Sequence, residues 1–157
     1  MPVTTTHELY EDNIDRWETM RDVLEGEDAV KAKASRYLPQ PAGRTDEDFS
    51  KYIQRAQFFD ATSKTASGMV GGVFRKPPLM EVPSIVEYLI EDADGKSTPL
   101  EQLAKDAAQE VIGLGRIGLL VDMPNVPTNK RLDEERALGA EARLYLYRAE
   151  SVINWSY

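Results

Sequence analysis

Apolar side chains recur every three or four positions through most of this chain, and the longest such stretch runs from Phe49 to Pro78. Phe49, Tyr52, Ile53, Ala56, Phe59, Ala66, Met69, Val70 and Val73 share one helical face, so the pattern predicts a single long central helix. Both of its ends carry signals. Thr45 stands three residues ahead of Asp48, where its hydroxyl can accept from the first free amides, and Asp46, Glu47 and Asp48 suit the positive helix end. Arg75 and Lys76 suit the negative end, and Pro77-Pro78 cannot continue the ladder. Gly68, Gly71 and Gly72 each cost the helix about 1 kcal/mol relative to Ala, which implies close backbone packing, a bend or an earlier end.

The same period predicts helices on either side. Leu9, Ile14, Trp17, Met20, Val23 and Leu24 give an amphipathic helix over 7–25, with Trp17 in the core and Gly26 as its stop. A shorter helix follows over 28–35, then a loop at 37–43 set by Pro39, Pro41 and Gly43. Ser84–Glu91 fits a short helix capped by Ser84, or a strand. Leu100–Ile112 is helical, with Leu100, Leu103, Ala107, Val111 and Ile112 inward.

Beyond that helix the period changes. Gly118–Met123 reads as a buried aliphatic strand and Arg143–Tyr147 as a second strand pairing with 119–122. Residues 124–142 between them are polar and turn-rich, a long loop containing the charged run Lys130–Arg136, and 149–153 forms a turn of helix. The expected fold is one mainly helical α+β domain over 1–157: a long central helix with a small β element near 118–123 and 143–147.

Composition fits a folding chain of 157 residues, 41% hydrophobic and 29% charged. The chain has no cysteine, which removes thiolate chemistry, disulfides and Cys-based metal sites. Neither a signal peptide nor a membrane span is expected, because the first residues lack a basic and then an apolar region and the run Ile117–Val121 is too short.

The net charge of −8 is unevenly placed: residues 1–28 carry −7, residues 29–78 carry +5 and residues 79–157 carry −6. The basic island holds the candidate contacts for a neighbouring subunit or a phosphate, Lys51, Arg55, Arg75 and Lys76. A solvated helix face, with Lys51 and Arg55 one turn apart, is the simpler account of the first two. Acidic flanks argue against the whole chain gripping duplex DNA.

Two patterns imitate known motifs. Asp92-Ala93-Asp94-Gly95 with Glu101 resembles part of an EF-hand loop, but Ile90 stands where the first ligand belongs. A turn followed by a capping box, with Thr98 as cap, Pro99 at N1 and Glu101 at N3, uses every residue. Gly113-Leu114-Gly115-Arg116-Ile117-Gly118 spells G-x-G-x-x-G, yet a helix precedes it and a strand follows, the reverse of a dinucleotide loop. Its glycines are expected to form a helix C-terminal turn feeding the strand.

Catalysis has little to build on. His7 is the one histidine, in a terminal segment expected to be poorly ordered, and the many carboxylate pairs read as solvated faces. No catalytic, cofactor-binding or metal-binding residue is expected, which leaves a structural or binding module.

One resemblance covers about residues 17 to 157. The succession of the Trp17 helix, Lys33-Ala34-Ser35-Arg36-Tyr37-Leu38-Pro39, Tyr52-Ile53-Gln54-Arg55-Ala56-Gln57-Phe58-Phe59, Gly71-Gly72-Val73-Phe74-Arg75-Lys76-Pro77, the segment Gly113–Asp122 and Tyr147–Trp155 resembles the N-terminal part of tailed-bacteriophage portal proteins, the head-to-tail connectors. The resemblance implies the wing region of a non-enzymatic ring subunit, usually one of twelve, at a capsid vertex of the virion. It implies double-stranded DNA as the cargo of the channel, and terminase, capsid and tail or adaptor proteins as partners. Portal proteins continue for several hundred residues, and an ending on Ile153-Asn154-Trp155-Ser156-Tyr157 with no polar tail reads as an interrupted unit. Between ring neighbours, Lys51 and Arg55 are expected to meet the acidic residues of the first helix. The alternative is a nucleic-acid-binding regulatory or assembly module that uses the basic segment 29–78.

Overall fold

His7 opens the first helix: its Nδ1 accepts the N–H of Leu9 at 3.1 Å, and its own N–H donates to the carbonyl of Ile153 at 2.9 Å. The expectation of a poorly ordered His7 is therefore corrected, because the side chain caps the helix and stacks on Trp155, with ring centroids 4.2 Å apart. The structure is a computed structural model and describes residues 4–123 and 141–156. Six α-helices are described: α1 Glu8–Glu25, α2 Glu27–Ala32, α3 Ala34–Tyr37, α4 Asp46–Arg55, α5 Ala61–Val73 and α6 Leu100–Leu114. Two strands, β1 Ile117–Asp122 and β2 Arg143–Arg148, complete a mainly helical α+β fold, with 3₁₀ turns at Ser84–Ile90 and Ala149–Ser151.

Gly26 stops α1 with φ 99°, a conformation open to glycine at little cost. The single helix expected over 28–35 is two short ones, broken at Lys33. The long central helix is also two. Thr45 caps α4 as expected, accepting from Asp48 N at 3.2 Å, but at Ala56 the backbone turns extended (φ −62°, ψ 136°). Asp60 then caps a new helix by accepting from Ser63 N at 3.2 Å. A carboxylate that satisfies a free amide offers the chain an alternative to continuing the helix, and apolar period alone does not register it. The break leaves Phe59 85% exposed rather than on an inward face.

Helix α5 runs through Gly68, Gly71 and Gly72 to Val73, and a Cβ on any of the three would meet nothing within 4 Å. None of these glycines reflects close packing. Arg75, Lys76 and the two prolines lie past the helix end, which Phe74 closes.

The helices α1, α5 and α6 pack together, and Gly113 of α6 lies against Leu24 of α1. A Cβ there would lie 2.5 Å from Leu24 Cδ1. Trp17 is half-buried, edge-on to Tyr10 at 5.9 Å, rather than deep in a core. The core is thin. The buried hydrophobics among the described residues are Val30, Ala34, Ala66, Ala93, Leu103, Leu114 and Ala149, and no large side chain there is fully buried.

The strands pair antiparallel from Ile117 opposite Arg148 to Asp122 opposite Arg143, as the sequence led us to expect. The buried character expected of β1 is corrected. Gly118 is tightly packed, since a Cβ would lie 2.9 Å from Val152, but from Leu119 onward the strand is exposed. Among the described residues no further strand covers this two-stranded ribbon. Most of the loop expected over 124–142 lies outside the described residues.

Two expected caps are absent. Pro83, not Ser84, holds the cap position of a 3₁₀ segment kinked at Val86, with no side-chain cap. Thr98 does not cap α6, because its hydroxyl donates to Asp94 Oδ2 at 2.9 Å, and Pro99 takes the cap position.

Candidate functional site

The residues singled out from charge do not form one cluster. Lys51 Nζ meets Glu47 at 2.7 Å, one turn back on α4, and Arg55 Nε donates to the Lys51 carbonyl at 3.2 Å. Both are exposed, the solvated helix face expected of them. Arg75 and Lys76 are exposed beyond α5 and make no hydrogen bond or ion pair among the described residues. Other bases of the island are already paired: Lys31 with Glu27, Lys33 with Asp22, and Arg36 with Glu18 at 2.8 Å.

The strongest electrostatic constellation lies elsewhere. Arg21 of α1 donates two hydrogen bonds to Glu110 of α6, at 2.6 and 2.7 Å, and two to Glu150, at 2.8 and 3.0 Å. Bidentate pairing on both sides of a guanidinium is among the stronger polar contacts available, and it pushes the arginine pKa up. At Glu150 burial disfavours the charge most, but the hydrogen bonds from Arg21, its own backbone amide and the charges of Arg21 and Arg148 together hold the carboxyl below its usual range. The Tyr10 hydroxyl adds a bond to the Glu150 carbonyl at 3.0 Å. One side chain thus ties together α1, α6 and the segment after β2.

Beside it lies a stacked cluster. The Arg116 guanidinium sits 3.6 Å over the Trp155 ring and 5.5 Å from that of Trp17, and His7 also stacks on Trp155. Hollows of about 540 and 500 Å³ adjoin it, the first lined by Thr5, His7 and Asn154, the second by Leu9, Asn13 and Leu114. A third polar knot anchors α3 to α1. Asp22 is buried, and burial pushes its pKa up, yet Lys33 Nζ at 2.8 Å and the Tyr37 hydroxyl at 2.5 Å together hold it below the usual carboxylate range.

The two motif imitations resolve into structure. Asp92 Oδ1 accepts from the amides of Gly95 and Ser97, both at 2.9 Å, and Asp94 Oδ1 from Lys96 at 2.8 Å, so these carboxylates hold a turn. The glycines of Gly113-x-Gly115-x-x-Gly118 do three separate jobs: Gly113 admits Leu24, Gly115 closes α6 in the left-handed region (φ 81°), and Gly118 admits Val152. The order helix, turn, strand is as expected.

Arg21, Glu110, Glu150, Arg116 and Trp155 were not among the candidates read from sequence. Arg21 did carry one signal, as one of two bases in the −7 segment. No helix among the described residues is long and apolar enough to cross a membrane. Compared with known proteins, the chain matches no family model and no curated protein sequence.

Proposed function

We propose that this chain is the wing-side part of a portal-like ring subunit, a structural, non-enzymatic component of a virion vertex through which double-stranded DNA passes. The observation that carries the reading is the imbalance between core and surface. Four of the seven buried hydrophobic residues among those described are alanines, while Phe59, Leu79, Val73, Met69 and Ile85 stand exposed along the α4–α5 link, α5 and the segment after it. Neighbouring subunits of an obligate assembly would cover such apolar side chains. The sequence order shared with portal proteins supplies the kind of assembly. The clamp at Arg21 fits a scaffold, because its charges are spent on one another and hold three segments in fixed relation.

In this reading terminase, capsid and tail or adaptor proteins dock on the ring, and the excess of acid keeps it from gripping its polyanionic cargo. Lys51 and Arg55 lie exposed on α4, and in this reading they meet acids of a neighbour's α1. Light scattering across a salt series on the complete protein tests the reading: a large closed ring is expected, of about twelve copies if the resemblance to portal proteins holds. The double reversal Lys51→Glu/Arg55→Glu should impair its closure. A compact monomer or dimer overturns the ring, and normal assembly of the reversed variant overturns the contact.

A further inference from the structure

Leu144 of β2 donates its N–H to the carbonyl of Ala93 at 2.8 Å, not to β1. Residues of an antiparallel pair alternate between those that exchange hydrogen bonds across the ladder and those whose main chain points outward. Val121, the register partner of Leu144, therefore points its N–H and C=O outward, and Leu119 and Ile117 follow by alternation. The two edges of the ribbon differ. That of β2 is engaged by the 92–98 turn at Ala93, whereas no described residue outside the ladder bonds the main chain of Leu119 or Val121. Their side chains are 59% and 63% exposed, and Leu120 is 44% exposed. An open edge with apolar side chains is a template for another strand.

We propose that this edge pairs with the same edge of a second copy of the chain, antiparallel, about a two-fold axis through Leu120. The edge is self-complementary in that register. Leu119 falls opposite Val121 of the second copy, with both main chains pointing at each other, and Leu120 falls opposite Leu120. Charge also favours this direction. Asp122 ends the strand, and antiparallel pairing sets it opposite Gly118 of the second copy, near the end of the strand that Arg116 precedes with its guanidinium held over Trp155, and keeps the two Asp122 carboxylates apart. Parallel pairing in register would place like charges side by side. The product is a four-stranded sheet in place of an isolated ribbon, which is marginal by itself in water. A two-fold contact joins two copies, whereas a ring grows through head-to-tail contacts, so this inference does not rest on the ring reading.

Because the chain has no cysteine, single reporters are clean. At the axis the two Leu120 Cα atoms form a non-hydrogen-bonded pair about 4.5 Å apart, within disulfide reach. Asp122 and its counterpart stand four residues out of register, about 14 Å apart along the strand. Under mild oxidation Leu120→Cys should run mainly as a disulfide dimer of twice the 17.7 kDa chain, and Asp122→Cys as monomer. Adding Leu119→Lys, an edge charge facing no acid, should abolish the Leu120→Cys dimer. Equal cross-linking at both positions, or none at Leu120→Cys, overturns the pairing. A ring that forms without the Leu120→Cys cross-link removes this inference alone, and a cross-linked dimer without a ring removes the other.

Discussion

Around Arg21, segments that are 89 and 129 residues distant in sequence close on one guanidinium, while β1, two residues past the end of α6, leaves most of its side chains in solvent. The two regions divide the chain's chemistry. Where charge is drawn inward it is fully paired, as at Arg21 and Asp22. Elsewhere apolar side chains are left outward among the described residues, as at Leu119, Val121 and Phe59. Polar groups lock this fold, while much of the large apolar surface stays outward.

The largest effect expected from breaking this contrast is at the clamp. Arg21→Ala strands Glu110 and Glu150 in a partly buried site and should cost about 3 kcal/mol or more in urea unfolding. A loss near that of an exposed pair, under about 1 kcal/mol, would show that the clamp is only a surface feature. Gly113→Ala drives a methyl against the end of the Leu24 side chain, and with the helix-propensity gain of about 1 kcal/mol offsetting part of the overpacking, a net cost of about 1 kcal/mol is expected from the same denaturation curves. An unchanged midpoint would mean that α1 and α6 can slide apart freely.

The pH dependence sharpens the same point. Asp22 and Glu150 both have folded-state values held below the unfolded ones, so their stabilisation is present above the ordinary carboxylate range, near pH 4. It is lost as pH falls through their folded values. Asp22→Asn should therefore flatten the stability profile on the acid side, and a profile parallel to wild type would contradict the role given to Lys33 and Tyr37.

The smallest effects belong to the outer face. Gly72→Ala meets open space and should stabilise the isolated chain by about 0.5 to 1 kcal/mol through helix propensity. Destabilisation by Ala would show that the helix face is already covered. Lys51→Ala should shift the midpoint by no more than about 0.5 kcal/mol, as is usual for an exposed pair one turn apart.

Local chemistry was legible wherever neighbours in sequence decide it. Thr45 as a cap, Gly26 as a stop, the turn at Asp92–Gly95 and the helix-to-strand order around Gly115 each depend on a few adjacent residues. Failures came where two local signals competed. The nine apolar positions between Phe49 and Val73 share a face only if the helix is unbroken, and Asp60 breaks it with one hydrogen bond. Thr98 carried the right chemistry for a cap but found Asp94 first.

By itself the sequence determined the helical α+β class, the pairing of 119–122 with the strand from Arg143, and the uneven charge. These follow from periodicity and side-chain type, which act over a few residues. Only the tertiary structure decided that Arg21 would meet Glu110 and Glu150, that His7 and Arg116 would both lie against Trp155, and that Gly113 would lie against Leu24. Each of those contacts joins residues far apart along the chain, and what selects them is the fit of packed surfaces, which no local period encodes.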